Sequence, residues 1–268
     1  MRDAAPTRES VEIGGATLVY HRRPPLTGRP AEPVILLHPW FGSWLFWRQT
    51  VAALPEFETY SVDLYSLGAS AEWRRFASPR GLAQAVGTML DALRLDRCSV
   101  VGNSMGGIAA QALAAMRGDR IGKLVLVGTG ARTVGVKPEF RRALDDWIAG
   151  EADRAFTERL VDALLARRPA PPEFDAFVEA VVNANKAFMG AVLNSAFDLD
   201  LRPELPKITA PTLVIRGELD AARTRAHVEE LLAGIPESTA LEIAGAGHSP
   251  QVDSPEAFSN ALRDFLLK

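Results

Sequence analysis

Short apolar runs alternate with stretches of helical spacing along most of the chain. Residues 33–38, 59–63, 97–101 and 123–128 are mainly β-branched and aliphatic, which is typical of buried strands. Residues 79–94 place apolar side chains three or four positions apart, and this spacing predicts an amphipathic helix. Residues 11–13 and 16–21 predict an opening hairpin. Repeated strand–helix order predicts an α/β fold, with a mostly parallel twisted sheet flanked by helices.

The pattern changes to helical spacing alone between residues 134 and 206. Glycine and proline positions divide this segment, at Gly150, at residues 169–172 and at Gly190. Strand–helix alternation then resumes, with strands predicted at 212–216 and 240–243 and helices at 225–233 and 255–267. The segment is therefore an α insertion in an α/β chain. It contains four predicted helices: 139–148, 151–166, 172–187 and 191–197.

Composition excludes several classes of function. The 268 residues include 47% hydrophobic and 24% charged residues, as expected for an enzyme with one large core. A net charge of −3 predicts no strong attraction to nucleic acid or to an anionic membrane. Cys98 is the single cysteine, so no disulfide forms within the chain, and no His/Cys cluster has metal-binding spacing. The first ten residues lack an apolar signal region, and we expect a cytoplasmic monomer or homodimer that needs no cofactor.

A candidate nucleophile follows the strand predicted at 97–101. Residues 102–107 read GNSMGG, and a helical stretch begins directly after them. A serine at the tip of a sharp strand–turn–helix is the arrangement called a nucleophile elbow. The glycines allow strand and helix to approach closely around the turn, so that Ser104 projects into a pocket. The alternative interpretation is a glycine-rich turn that precedes a helix and has no chemical role.

Two residues further along the chain fit a catalytic triad with Ser104. Asp220 ends the strand segment 211–220, and His248 lies in the glycine-rich segment 245–250. Ser, Asp, His is the order expected on this kind of scaffold. His248 would take the proton from Ser104, and Asp220 would fix the tautomer of His248 and stabilise its charged form. The alternatives are a turn aspartate and a surface histidine.

These segments together resemble the α/β-hydrolase fold superfamily, in its lid-bearing esterase, lactonase and C–C hydrolase branch. The resemblance covers nearly the whole chain. It implies a core domain made of residues 1–133 and 207–268, with residues 134–206 as a helical cap, or lid. The matching pieces are residues 34–38, Asp63 with Gly68 and Ser70, and residues 102–107, 210–220 and 245–248.

The resemblance also implies an oxyanion hole of two main-chain N–H groups. One belongs to Met105, the residue after the nucleophile, and the other to the loop after the strand 34–38. Relatives usually have His-Gly in that loop, whereas this chain has His38 followed by Pro39, which lacks an N–H group. Trp40 matches the family position of the second donor. We expect His38 to hydrogen-bond the loop and not to act as the base.

Aromatic residues in the same loop suggest an apolar substrate pocket. Trp40 and Phe41 lie where relatives line the pocket, so an apolar or aromatic acyl group is expected. Nearby Phe46 and Trp47 are expected to pack in the core. Pocket candidates in the insertion are Trp147, Phe188 and Met189, which could equally form the core of the cap itself. Its polar groups that could orient a substrate are Arg141, Arg142, Asn183, Asn185 and Asn194.

Three functions remain open from the sequence. The first is a serine hydrolase that cleaves a small carboxylic ester or lactone through an acyl-enzyme. The second is a C–C bond hydrolase of β-diketone or ring-cleavage products, which would use the same triad. The third is a small-molecule receptor or a cofactor-free oxygenase on the same fold. A small molecule is the expected partner in every case.

Overall fold

The computed structural model describes residues 5–27, 31–133, 138–151 and 153–268. Eight strands form one sheet with the spatial order β1-β2-β4-β3-β5-β6-β7-β8. The strands are β1 (Thr7–Ile13), β2 (Ala16–Arg23), β3 (Val34–Leu37), β4 (Thr59–Asp63), β5 (Cys98–Asn103), β6 (Ile121–Val127), β7 (Thr212–Gly217) and β8 (Ser238–Ile243).

In the described residues, the sheet is parallel from β4 through β8 in spatial order, and β2 joins both β1 and β4 in antiparallel register. β1 pairs with β2 and β2 with β4 in antiparallel register, whereas all the other neighbours run parallel. In the centre, Leu37 of β3 lies opposite Gly102 of β5. The predicted α/β class, with its mostly parallel sheet, is confirmed. Ligands bind at the carboxyl edge of such sheets, where β5, β7 and β8 lead into the predicted site residues.

Helices cover both faces of the sheet because alternate residues of each strand point to opposite sides. Ile35 and Leu37 join the larger hydrophobic cluster, and Val34 and Leu36 join a second cluster around Trp47. Phe46 and Trp47 are buried core residues, as expected, and Cys98 is a buried free thiol. The helices of the α/β part are α1 (Arg48–Ala52), α2 (Pro79–Ala92), α3 (Met105–Met116), and, beyond the insertion, α8 (Arg225–Gly234), α9 (Pro250–Asp253) and α10 (Pro255–Leu267).

The insertion is helical, but its helix boundaries differ from the predicted ones. The prediction of a break at Gly190 is wrong, because Gly190 lies inside a helix. A Cβ added to Gly190 would be only 2.7 Å from Ile148 Cδ1. This glycine serves close helix packing. The chain breaks instead before Asn185, whose side chain accepts a hydrogen bond from Phe188 N. The helices are α4 (Pro138–Ala149), α5 (Arg154–Asp162), α6 (Pro171–Val182) and α7 (Lys186–Phe197).

The insertion leaves and rejoins the α/β part at neighbouring points. Arg132 forms an isolated antiparallel bridge with Asp200, and Leu201 N donates to Ala131 O at 2.8 Å. Within the described ranges, no single helix has the length and apolarity to cross a membrane. The bent pair α6–α7 reaches the length and apolarity of a membrane-spanning helix only when its two helices are taken together.

Candidate active site

Ser104 lies at a strained turn between β5 and α3. Its φ of +53° and ψ of −112° place a non-glycine residue in a region that side chains rarely occupy. The turn is held because Ser104 N donates to Val127 O at 2.9 Å, and because Gly106 packs against the end of β3. A Cβ on Gly106 would lie 2.2 Å from Leu37 O, so no side chain fits there. Ser104 remains partly exposed at this turn.

Asp220 and His248 are joined by a hydrogen bond. His248 Nδ1 lies 2.9 Å from Asp220 Oδ2, and both residues are buried. An ionised carboxylate can only accept, so Nδ1 carries the proton and donates it. A neutral His248 in this tautomer has its lone pair on Nε2, which is the nitrogen that can accept a proton.

Two further donors hold the Asp220 carboxylate in place. Its Oδ1 accepts hydrogen bonds from Ala222 N and Arg223 N, each at 2.9 Å. Burial acts to raise the pKa of Asp220, but the His248 hydrogen bond and charge and these two N–H groups outweigh burial and hold the pKa below its usual value. Asp220 therefore stays ionised next to His248.

Asn103 connects the Ser104 turn to the His248 segment. Its Nδ2 donates to Val127 O and to His248 O, both at 3.0 Å. Its Oδ1 accepts from Ser249 Oγ at 3.0 Å and from Gln251 Nε2 at 2.9 Å. Because Asn103 directly precedes Ser104 and is fully buried, these bonds bring the end of β5 against the main chain of His248. Nothing in the sequence pattern indicated this role of Asn103 beyond its position within the GNSMGG motif.

The predicted oxyanion donors lie on adjoining segments. Gly106 contacts both Leu37 and His38, so the start of α3, with Met105, abuts the loop that contains Trp40. In the described part of the chain, neither Met105 N nor Trp40 N donates a hydrogen bond. Such free N–H groups are what an oxyanion hole requires.

His38 structures this loop, as expected. Its Nε2 accepts from Leu64 N at 3.0 Å, which leaves Nδ1 as the protonated nitrogen that donates to Pro39 O at 2.8 Å. The ring is completely buried and both of its nitrogens are engaged. This neutral histidine joins the ends of β3 and β4.

The predicted pocket residues gather at the seam between the loop and the insertion. Trp40 Nε1 donates to Met189 O at 2.9 Å, and the rings of Phe41 and Trp147 meet edge to face at 5.6 Å. Trp147 and Met189 are fully buried, as is Phe188, which packs against other aromatic rings of the α/β part. Their contact with a substrate stays a prediction.

A cleft of about 690 Å³ opens along the same seam but is not lined by the triad candidates. Asn185, one of the polar residues singled out in the insertion, lines this cleft and donates from Nδ2 to Gly68 O at 2.6 Å. Asn183 lines it as well. Other lining residues are Ser43, Trp44, Asp63 and Tyr65. The size of the cleft alone gives no reason to prefer it to the segments that carry Ser104, Asp220 and His248, which are joined through Asn103 and the His248–Asp220 hydrogen bond.

Metal ligands are a further kind of group that could accompany the Ser104 turn. Across the residues that the structure describes, no cluster of three or more His, Cys, Asp or Glu side chains is placed to hold an ion. The arrangement at Ser104, Asp220 and His248 instead offers a hydroxyl, an imidazole and an orienting carboxylate. These three groups suit nucleophilic attack on a carbonyl carbon.

The chain is similar over most of its length to known hydrolases. The family model described as alpha/beta hydrolase family matches residues 34–261. The chain is 28% identical over 248 residues to a pimeloyl-[acyl-carrier protein] methyl ester esterase from Vibrio cholerae, covering 88% of this chain and 95% of the relative. It is 29% identical over 268 residues to a 2-hydroxy-6-oxononadienedioate/2-hydroxy-6-oxononatrienedioate hydrolase from Cupriavidus pinatubonensis, covering 90% and 88%.

A solved structure shows the same fold. The enol-lactonase from Burkholderia xenovorans superposes with a TM-score of 0.84 and 26% sequence identity, covering 97% of this chain and 100% of that one. The relatives thus include an ester hydrolase and a lactonase.

Proposed function

The chain belongs to the α/β-hydrolase family, and from this premise we propose that it is a serine hydrolase that cleaves a carboxylic ester or lactone. Ser104 is the nucleophile, His248 the general base and acid, and Asp220 the orienting carboxylate. The observation that carries the proposal is the strained, partly exposed Ser104 turn, which Asn103 ties to a histidine already paired with an aspartate.

The proposed reaction proceeds through an acyl-enzyme. His248 Nε2 takes the proton of Ser104 Oγ as Oγ bonds to the carbonyl carbon of the substrate. The N–H groups of Met105 and Trp40 stabilise the negative charge on the carbonyl oxygen. The C–O bond to the leaving group then breaks, and His248 returns the proton to the departing oxygen. A water molecule, activated by the same histidine, hydrolyses the acyl-enzyme and regenerates Ser104.

The proposed substrate class rests on the aromatic residues where the Trp40 loop meets the insertion, and on the relatives. Aromatic side chains at the seam, among them Phe41 and Trp147, favour a small and largely apolar acyl group. The helical insertion, residues 134–206, would act as the cap over this group. The relatives named as an ester esterase and an enol-lactonase support ester and lactone bonds. A cytoplasmic location, and action as a monomer or homodimer without a cofactor, remain part of the proposal.

Turnover of p-nitrophenyl esters by Ser104→Ala tests the proposal. The variant should lose on the order of 10⁴-fold or more of the wild-type rate, as expected when a triad serine is removed. Ser238→Ala removes a hydroxyl at the start of β8 and should keep the wild-type rate. Mass spectrometry should find a fluorophosphonate adduct on Ser104 of the wild type. Wild-type turnover by Ser104→Ala would refute the proposal.

C–C bond hydrolysis is the second candidate. It is favoured by the relative named as a 2-hydroxy-6-oxononadienedioate hydrolase, at 29% identity. A panel of p-nitrophenyl esters, lactones, β-diketones and 2-hydroxy-6-oxodienoates separates the two candidates by their values of kcat/KM. We expect the esters or lactones to react fastest. A higher kcat/KM for the diketones or the oxodienoates would replace the ester assignment while retaining the triad.

A further inference from the structure

Asp253 joins the insertion to the segment that carries His248. This residue ends α9, five positions after the histidine, and its carboxylate faces two separate parts of the chain. Oδ1 accepts hydrogen bonds from Ala166 N at 2.9 Å and from Arg167 N at 3.3 Å, both in the insertion after α5. Oδ2 accepts from Gly247 N, the residue before His248, at 2.7 Å. One carboxylate thus receives donors from segments about eighty positions apart.

This carboxylate is buried without a direct ion pair. Asp253 is 7% exposed, and among the described residues no lysine, arginine or histidine forms a salt bridge with it. Burial raises the pKa of Asp253, although the three N–H donors and the charge of Arg167 act to lower it. A buried carboxylate is unfavourable unless its oxygens are hydrogen-bonded. The main-chain donors therefore have to stay in place for the group to be tolerated.

The two segments that Asp253 joins also touch each other. A Cβ on Gly247 would lie 2.8 Å from Ala166 N, 3.1 Å from Asp253 Oδ2 and 3.2 Å from the carbonyl carbon of Leu165. The backbone of the insertion therefore packs directly on the residue before His248. A displacement of this part of the insertion would release Gly247 on one side and two donors of Asp253 on the other.

We propose that Asp253 is a positioning residue, which fixes His248 by binding Gly247 and the insertion at the same time. The position of the insertion at residues 166–167 and the position of His248 are thereby coupled. The inference rests on the proposed function, in which His248 is the base, and it adds a residue that does not touch the substrate. It predicts that loosening the insertion at residues 166–167 slows the chemistry at Ser104.

Asp253→Asn tests this role with almost no change in volume. An amide has one accepting oxygen, so either Gly247 N or the pair of N–H groups in the insertion faces an NH₂ group and loses its bond. We expect kcat for a p-nitrophenyl ester to fall about 10- to 100-fold, as for small misplacements of a catalytic group, with KM within about threefold. The rate of Ser104 modification by a fluorophosphonate should fall in parallel.

Asp153→Asn is the matched control. Asp153 lies in the insertion and, like Asp253, is a carboxylate that binds a main-chain N–H, since it caps α5 through Phe156 N at 2.8 Å. Unlike Asp253, it is exposed and does not contact Gly247. This variant should keep wild-type values of kcat and of the modification rate. Equal losses in both variants would show a general effect of the insertion and would overturn the role of Asp253.

A readout independent of esters separates this inference from the proposed function. The NMR signal of the proton on His248 Nδ1 is identified by its loss in Asp220→Asn. In Asp253→Asn this signal should shift, or the proton should exchange faster with water. This holds even if esters are not the substrate. If Asp253→Asn fails to fold, Ala166→Pro breaks the bond to Asp253 Oδ1 from the side of the insertion, because a ring carbon replaces the N–H group. Folded variants with a lower Tm, but with an unchanged proton signal and modification rate, would mean that Asp253 is only structural.

Discussion

Asp220→Asn is the substitution whose outcome the structure determines most closely. Asp220 uses one oxygen for two main-chain donors and the other for His248. The asparagine amide has to choose between two orientations. With its oxygen toward Ala222 N and Arg223 N it keeps two hydrogen bonds. Turned over, it keeps one acceptor for His248 but sets an NH₂ group against two N–H groups.

The difference in free energy between these two orientations of the amide determines the tautomer of His248. Each hydrogen bond contributes about 1 kcal/mol, and a buried donor left without a partner costs about 1–3 kcal/mol. The first orientation is therefore preferred by at least about 2 kcal/mol, or more than tenfold in population. In it the amide NH₂ donates to Nδ1, so the imidazole proton moves to Nε2. His248 can then no longer take the proton of Ser104, and we expect kcat to fall on the order of 10⁴-fold.

The assay is the initial rate of p-nitrophenyl butyrate hydrolysis, with the melting temperature followed by circular dichroism. Asp91→Asn is the control, because this exposed carboxylate bridges Arg117 and Arg120 at the end of α2, in surface contacts away from the site. It should retain the wild-type rate. A folded Asp220→Asn protein with a rate within tenfold of the wild type would show that Asp220 does not set the tautomer of the base.

Two further predictions concern stability. Gly106→Ala would put a Cβ 2.2 Å from a main-chain oxygen and should lower the free energy of unfolding by about 3 kcal/mol or more. Gly87→Ala has 3.5 Å to its nearest neighbour and should raise the free energy of unfolding by up to about 1 kcal/mol. Urea unfolding measures both, and equal effects would refute the contact argument. Burial lowers the pKa of His21, against a smaller opposite effect of Asp63, so the unfolded chain binds a proton at higher pH than the folded protein does. The contribution of neutral His21 to stability is therefore complete above the unfolded pKa of about 6.5. It is lost as the pH falls through the lower pKa of the folded protein. The free energy of unfolding should decrease from pH 7.5 to 5.5, and less so in His21→Phe, which keeps a ring against Trp44; equal decreases would contradict this cause.

The sequence predicted the elements whose signal is local. The apolar runs at β3 through β7 became buried strands because each carries enough β-branched and aliphatic side chains to specify a strand wherever it lies. The GNSMGG motif likewise predicted the turn at Ser104, since small residues are required where strand and helix approach so closely. The pairing of Asp220 with His248 could be anticipated from chain order alone, because both follow strands that end at the same edge of the sheet.

Features that depend on distant partners became evident only in the folded protein. Gly190 carries the local signal of a helix break, yet packing against Ile148 makes it a contact point inside α7. Asn103 and Asp253 look like ordinary polar residues until the fold brings buried donors and acceptors from remote segments around them. The sequence thus determined the strands, the turn and the chemical groups, because their causes lie within a few residues. The contacts that position those groups could not be predicted from the sequence, because a hydrogen bond between remote segments produces no periodic pattern in either segment.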